Sequence, residues 1–215
     1  HLQSELTRQA NHDPLTGLPN RLMLLRTAAE ALDGIRGTRN NAAILFMDVD
    51  RLKEVNDTVG HEVGDALLTQ VATRIAHATR PSDVVARIGG DEFVVLCDGG
   101  IDEHTAVDLA ERIRHSLSGR IMLHGVEIEL SVSIGVAVSS AHHIEGMSAH
   151  EAALDLLRNA DIAMYQAKRR GRSRSELYTD AMRAESRKHK ELGSELERAL
   201  AAGQLRLAYQ PIIST

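Results

Sequence analysis

Two adjacent carboxylates, Asp91 and Glu92, follow a glycine pair, Gly89-Gly90, between the short runs Val84-Val85-Ala86 and Val94-Val95-Leu96. Apolar, β-branched runs around paired glycines predict a β-hairpin with a tight turn. Glycines at the bend let the backbone approach a ligand with no Cβ in the way. Adjacent acids there suit a Mg²⁺ ion held against phosphate oxygens, since Mg²⁺ takes one or two carboxylates plus substrate phosphates. The plain alternative is an acidic, solvated hairpin, and the spacing alone favours it. A second acidic position closes the apolar run Asn41–Val49, which carries Asp48 at its end, with Asp50 two residues later. Such a run predicts a buried central strand. Open α/β sheets place ligand groups at the carboxyl ends of such strands, although a solvated strand-end acid is common. The third chemically loaded stretch is Lys168-Arg169-Arg170-Gly171-Arg172-Ser173-Arg174. Basic residues ending a helix complement its dipole. Selected members of the run could also reach back to an anionic triphosphate. Arg80 and Asp83, taken alone, read as a loop ion pair.

The elements that must position these groups follow in order. His12–Arg21 contains two prolines and a glycine, so it reads as an ordered turn. Asn20 is a good N-cap for a helix with Leu22, Leu25, Ala28, Ala29 and Leu32 on one face. After the 41–49 strand, Arg51–Asp57 is helical in character. Gly60–Asp65 then opens a long helix with Leu67, Leu68, Val71, Ile75 and Ala78 as its apolar stripe. Asp65 falls in its first turn, where the dipole favours an acid. Pro81 ends that helix before the hairpin. A helix over 103–117, a second hairpin around His124-Gly125 and an alternating strand over 130–138 come next. A strongly amphipathic helix spans 149–167, a short strand 176–178 and a charged helix 180–201, and 205–215 is strand-like. This order gives an α+β fold, an α/β sandwich with one mostly antiparallel sheet and helices on both sides. The 41–49 strand and the first hairpin become neighbours, bringing Asp48 near Asp91 and Glu92.

Composition bounds the rest. The 215 residues are 43% apolar and 26% charged, as in a soluble globular protein of one domain with appendages. Two Phe, three Tyr and no Trp leave the core to Leu, Val, Ile and Ala. The single cysteine, Cys97, excludes an internal disulfide and reads as a buried, inert thiol in a reducing cytoplasm. No run is long and apolar enough to span a bilayer, so no membrane contact is expected. A net charge of −5 argues against general nucleic-acid binding. The eleven histidines show no zinc-site spacing.

Gly89-Gly90-Asp91-Glu92-Phe93 resembles the signature of the GGDEF domain, the diguanylate cyclase family. The likeness extends to Asp13-Pro14-Leu15-Thr16-Gly17-Leu18-Pro19-Asn20-Arg21, to Phe46–Asp57, to Gly60–Leu68 and to Tyr165–Arg172, in order and spacing over 12–178. Residues 1–11 then read as the end of an upstream linker helix and 179–204 as a further linker helix. Ala208-Tyr209-Gln210-Pro211-Ile212-Ile213 resembles the opening strand of an EAL domain, the cyclic di-GMP phosphodiesterase family. None of that family's catalytic acids is present, so no phosphodiesterase activity is expected of these residues.

The resemblance implies a fold related to the polymerase palm and the nucleotidyl cyclases. It implies a reaction in which two GTP molecules, one per domain of a homodimer, condense to cyclic di-GMP and two pyrophosphates. Asp48, the Val49 carbonyl and Asp91 would hold Mg²⁺ or Mn²⁺. Asp91 or Glu92 would help deprotonate the attacking 3′-hydroxyl. Asn56 and Asp65 would meet the guanine edge. Lys53, Lys168, Arg172 and backbone N–H groups near Arg51 and Leu52 would bind phosphates. Leu52 stands where the family usually has Phe. Arg80 and Asp83, with Arg112 favoured over Arg114 as the third member, resemble a product-inhibition site for cyclic di-GMP. The alternative reading is a catalytically silent module that binds GTP or cyclic di-GMP and regulates an attached phosphodiesterase.

Overall fold

The computed structural model describes residues 10–204, and the EAL-like stretch 205–215 and residues 1–9 lie outside the described residues. Two units divide between Thr179 and Asp180. In the first, the elements are α1 (Arg21–Gly34), β1 (Asn41–Val49), α2 (Leu52–Val59), α3 (His61–Ala78), β2 (Val84–Gly89), β3 (Glu92–Cys97) and α4 (Glu103–Ser116). Then follow β4 (Gly119–Leu123), β5 (Val126–Leu130), β6 (Val132–Ser140), α5 (Ala149–Arg169) and β7 (Ser175–Leu177). The second unit contains the helix α6 (Asp180–Ala201).

The main sheet runs β2-β3-β1-β6-β7, with every pair antiparallel except β6 and β7. The nine apolar-rich residues of β1 form its middle strand and are buried almost throughout. Alternation along a strand sends successive side chains to opposite faces. Ala43, Leu45, Met47 and Val49 therefore face one core with α3 and α4. Ala42, Ile44 and Phe46 face the other core with α1 and α5. Helices thus cover both faces, as the sequence implies, and Asp48 belongs to the α5 side. Its register partners are Glu92 on β3 and Ser133 on β6.

Helix α5 is nucleated by a capping box, in which Ser148 and Glu151 satisfy each other's backbone N–H groups. It lies very close to the sheet at Gly135. A Cβ there would come within 2.0 Å of the Ala160 carbonyl oxygen and 2.1 Å of the Met164 nitrogen. β4 and β5 form a separate hairpin, with His124 at φ 50 and Gly125 at φ 80 as its two turn residues.

Three expectations need correction. Asn20 does cap α1, accepting from the Leu22 and Met23 N–H groups. The buried face of that helix, however, is Leu24, Ala28, Ala31 and Leu32, while Leu22 is 63% exposed. Leu22, Leu24 and Leu25 are close in sequence, and the apolar stripe passes through the middle one. β6 begins at Val132, and its first six residues are all buried, because both of its faces are covered. Helix α3 begins at His61, which puts Glu62 in its first turn and Asp65 beyond it. The dipole acts mainly within the first turn, so it does not account for Asp65.

Candidate active site

The acidic turn is fixed from two sides. The Val49 N–H, at the end of β1, donates to the Asp91 carbonyl at 3.1 Å. Arg87 grips the turn from below: its Nε and Nη2 donate to the Gly90 carbonyl at 3.1 and 2.7 Å, and its Nη1 to Asp13 Oδ1 at 2.9 Å. The Arg87 N–H also donates to the Pro19 carbonyl at 2.9 Å. Asp13 in turn accepts from both the N–H and the hydroxyl of Thr16. Burial pushes the Asp13 pKa up, but the Thr16 and Arg87 hydrogen bonds outweigh it and hold the carboxyl below its usual range. The Asp13–Thr16 turn and the hairpin tip are therefore one hydrogen-bonded unit. Gly90, at φ 50, supplies the left-handed backbone the bend requires.

Asp48 is 5% exposed and forms an ion pair with Lys168 from the last turn of α5, Nζ to Oδ2 at 2.5 Å. Burial is the largest influence on this carboxyl. The Lys168 hydrogen bond opposes it, the Asp91 and Asp50 charges add to it, and the pKa is pushed up to about 6. Glu92 is also raised, first by burial and then by the charges of Asp161, Asp48 and Asp91. Carboxylates from β1, the hairpin and α5 thus crowd together, with Lys168 as the cation opposing both shifts. Among the described residues, no group of three or more His, Cys, Asp or Glu side chains is arranged to hold a metal ion. The expected set contains two carboxylates, Asp48 and Asp91, with the Val49 carbonyl.

Asp50 has a different task. Its carboxylate accepts from Ser131 Oγ at 2.9 Å, Ser133 Oγ at 2.7 Å and the Ser173 N–H at 3.2 Å. It is 6% exposed and ties the end of β1 to the start of β6 and to the loop after α5. Next to it, Arg51 adopts a left-handed conformation, φ 60, and Leu52 is buried at 7% exposure. Leu52 joins the core of the α3–α4 face, so an aliphatic side chain fills this position. Arg51 and Arg172 line one cleft of about 550 Å³ with Asp50, Glu54, Thr58 and Ser173. Lys53 and Asn56 do not line it. Asn56 lies instead against Gly64 of α3, and Lys53 is exposed.

Gly60, at φ 94, is both the C-cap of α2 and the N-cap of α3, so the two helices meet at a sharp corner. Asn56 in the last turn of α2 and Asp65 near the start of α3 flank this corner. Asp65 is exposed and Asn56 half-buried. The basic run that ends α5 and continues past it is divided: Lys168 takes Asp48, while Arg170 and Arg174 both reach Glu176.

Arg80, Asp83 and Arg112 gather at the other end of the hairpin. Asp83 Oδ2 accepts from the Arg80 N–H at 2.8 Å, and Arg112 donates twice to the Ala78 carbonyl at 3.0 and 3.1 Å. All three surround Cys97. Burial and then the Asp83 carboxylate push that thiol up to about 12, against the pull of Arg80 and Arg112. It is inert, as its sequence context suggests. Arg114 is turned to Glu111, at 2.7 Å, and away from this group.

Sequence reasoning gave no role of their own to Arg87, Asp13, Asp50 and Asp161. Arg87 stands two residues before the glycine pair, and that position is the one signal the sequence offers for it. Asp50 and Asp161 gave no such signal, since their neighbours come from distant parts of the chain.

The family profile "Diguanylate cyclase, GGDEF domain" matches residues 10–174. A bifunctional diguanylate cyclase/cyclic di-GMP phosphodiesterase, MucR of Pseudomonas aeruginosa, is 39% identical over 96% of this chain and 29% of its own length. The cyclic di-GMP phosphodiesterase NbdA of the same organism is 36% identical over 100% of this chain and 26% of its length. The chain therefore spans under a third of either relative. Among solved structures, the GGDEF domain of TpbB from P. aeruginosa superposes with a TM-score of 0.73, at 38% identity, over 82% of this chain and 99% of that one. The sheet order, the acidic hairpin beside β1 and these matches lead to one conclusion: the chain belongs to the GGDEF diguanylate cyclase family.

Proposed function

We propose that the chain is an active diguanylate cyclase, with its cyclase domain at 12–178, and that two copies join two GTP molecules into cyclic di-GMP with release of two pyrophosphates. The observation that carries this reading is the register of β1 with β3, which pairs Asp48 with Glu92 on one face beneath Lys168. The donor set suits a small hard cation: oxygen ligands only, no more than two carboxylates, and mutual repulsion that a cation would offset. Asp48, Asp91 and the Val49 carbonyl would hold Mg²⁺ or Mn²⁺. When bound, such an ion lowers the pKa of the attacking 3′-hydroxyl and neutralises charge on the leaving pyrophosphate.

The chain's own residues bind, orient and move a proton. Glu92 takes the 3′-hydroxyl proton; its raised pKa brings it closer to that of an effective base at neutral pH. Lys53, Lys168, Arg172 and the N–H groups at Arg51 and Leu52 hold phosphate oxygens. Asn56 and Asp65 orient the guanine. A carboxylate at 65 accepts from the base N1–H and exocyclic amine together, which adenine cannot offer. Holding each reacting group in line supplies most of the acceleration. Arg80, Asp83 and Arg112 bind cyclic di-GMP as feedback inhibitor, because arginine both clamps phosphate and stacks on guanine.

A second reading has one observation in its favour. NbdA aligns over the whole of this chain and is described as a phosphodiesterase. On that reading the domain binds nucleotide without turnover and regulates an attached phosphodiesterase. Incubation with GTP and Mg²⁺, with products resolved by chromatography, separates the two. Cyclic di-GMP and pyrophosphate are expected, with a rate per chain that rises with protein concentration. GTP binding with no product, even when two copies are tethered, would overturn the cyclase assignment.

A further inference from the structure

Glycine is a poor helix former, and its usual excuse is a left-handed backbone or a close approach. Gly64 is buried in α3, as its fourth residue, and is not among the positive-φ glycines. Its backbone therefore does not call for glycine. Its surroundings do. A Cβ at this position would lie 1.9 Å from Asn56 Oδ1 and 3.0 Å from Asn56 Cγ. That same Oδ1 is enclosed and accepts no hydrogen bond among the described residues. An asparagine at an exposed helix end would turn its carbonyl to water, since an unpaired buried acceptor is unfavourable. Here the amide stays in the notch that the missing side chain leaves. The corner at Gly60 makes this contact, because it folds the last turn of α2 onto the first residues of α3. Two local rules are broken together, beside Asp65, which is the pattern of a position shaped by use rather than by stability.

We infer that Gly64 is a positioning residue: its missing side chain holds the Asn56 amide in the orientation from which, with Asp65, it meets the guanine edge. This rests on the reading of Asn56 as a base-contacting residue. A methyl group at 64 would displace only the far end of a flexible side chain and no backbone. The Gly64→Ala chain therefore folds, with a melting temperature equal to or above that of the parent, while Asn56 rotates out of place.

The test is calorimetric binding of α,β-methylene-GTP, which cannot lose pyrophosphate, to the parent, Asn56→Ala, Gly64→Ala and the double variant. Each single change weakens binding about three- to tenfold, the value of one neutral hydrogen bond. The double variant binds no more weakly than Asn56→Ala alone, because both changes remove one interaction. Unchanged binding in Gly64→Ala, or losses that add in the double variant, would overturn the inference while leaving the base contact standing. Unchanged binding in Asn56→Ala would instead remove the base contact and the inference with it. Should Gly64→Ala lose its cooperative melt, the double variant decides: folding restored there supports the notch, and failure there refutes it.

Discussion

Asp48→Asn isolates the electrostatics of the strand end. In the parent, the Asp48 carboxyl is raised from 3.8 to about 6, a value that already includes the opposing pull of Lys168. A shift of about two units corresponds to about 3 kcal/mol between the protonation states. The sign follows from which state holds the proton more tightly. The folded chain does, so the contribution favours folding at low pH and is lost as pH rises through about 6. About 2 kcal/mol of it disappears between pH 4.5 and pH 8, and asparagine, having no proton to lose, shows no such loss. The variant should therefore gain on the parent by about 2 kcal/mol over that range. Urea unfolding of both proteins at the two pH values, in a chelator so that no divalent cation intervenes, measures the difference. Turnover of GTP should be lost in the variant at every pH. A stability difference that does not change with pH, or one that moves against asparagine as pH rises, would refute the account of a crowded, desolvated carboxylate.

Other changes probe the remaining parts. Glu92→Gln keeps the shape of the hairpin and should lower turnover at least about a hundredfold, the lower range for a lost general base, with an unchanged melting temperature; retained activity would show the proton acceptor to be elsewhere. Arg80→Ala should leave the initial rate intact while relieving inhibition by added cyclic di-GMP, and unchanged inhibition in a product titration would remove that site. Gly135→Ala places a methyl group against the Ala160 and Met164 backbone. It should lower stability by about 1–3 kcal/mol in urea unfolding, as overpacking against a rigid neighbour does; a neutral result would mean that α5 shifts freely over the sheet.

Much of this architecture was legible in the chain. Asn41–Val49 declared itself because both faces of the middle strand are covered, which leaves an unbroken apolar run. The hairpin was legible from its glycine pair, and α5 from its helical spacing and basic end. The family followed from motifs in the right order. What escaped depends on neighbours remote in sequence. The face of α1 was misjudged because three leucines sit within four positions, and only packing against β1 and α5 selects Leu24. Lys168 read as a phosphate ligand or a dipole partner, and its pairing with Asp48 needs the close seating of α5 on Gly135. Asp161 carries no signal in the sequence, yet its charge is felt by Glu92.

Asp50 has a consequence for how the protein is made. Its partners Ser131, Ser133 and Ser173 follow it by 81, 83 and 123 residues. Chains leave the ribosome from the amino end, at about 5–20 residues per second. The nascent protein can therefore lay down its first strand and hairpin several seconds before the last of these partners exists. Throughout that interval the acid at position 50 lacks its rivets, and the neighbouring arginine has no wall across from it. The junction around Asp50 is in this sense a late event of biosynthesis, incomplete until Ser173 has emerged and the final parallel strand has docked.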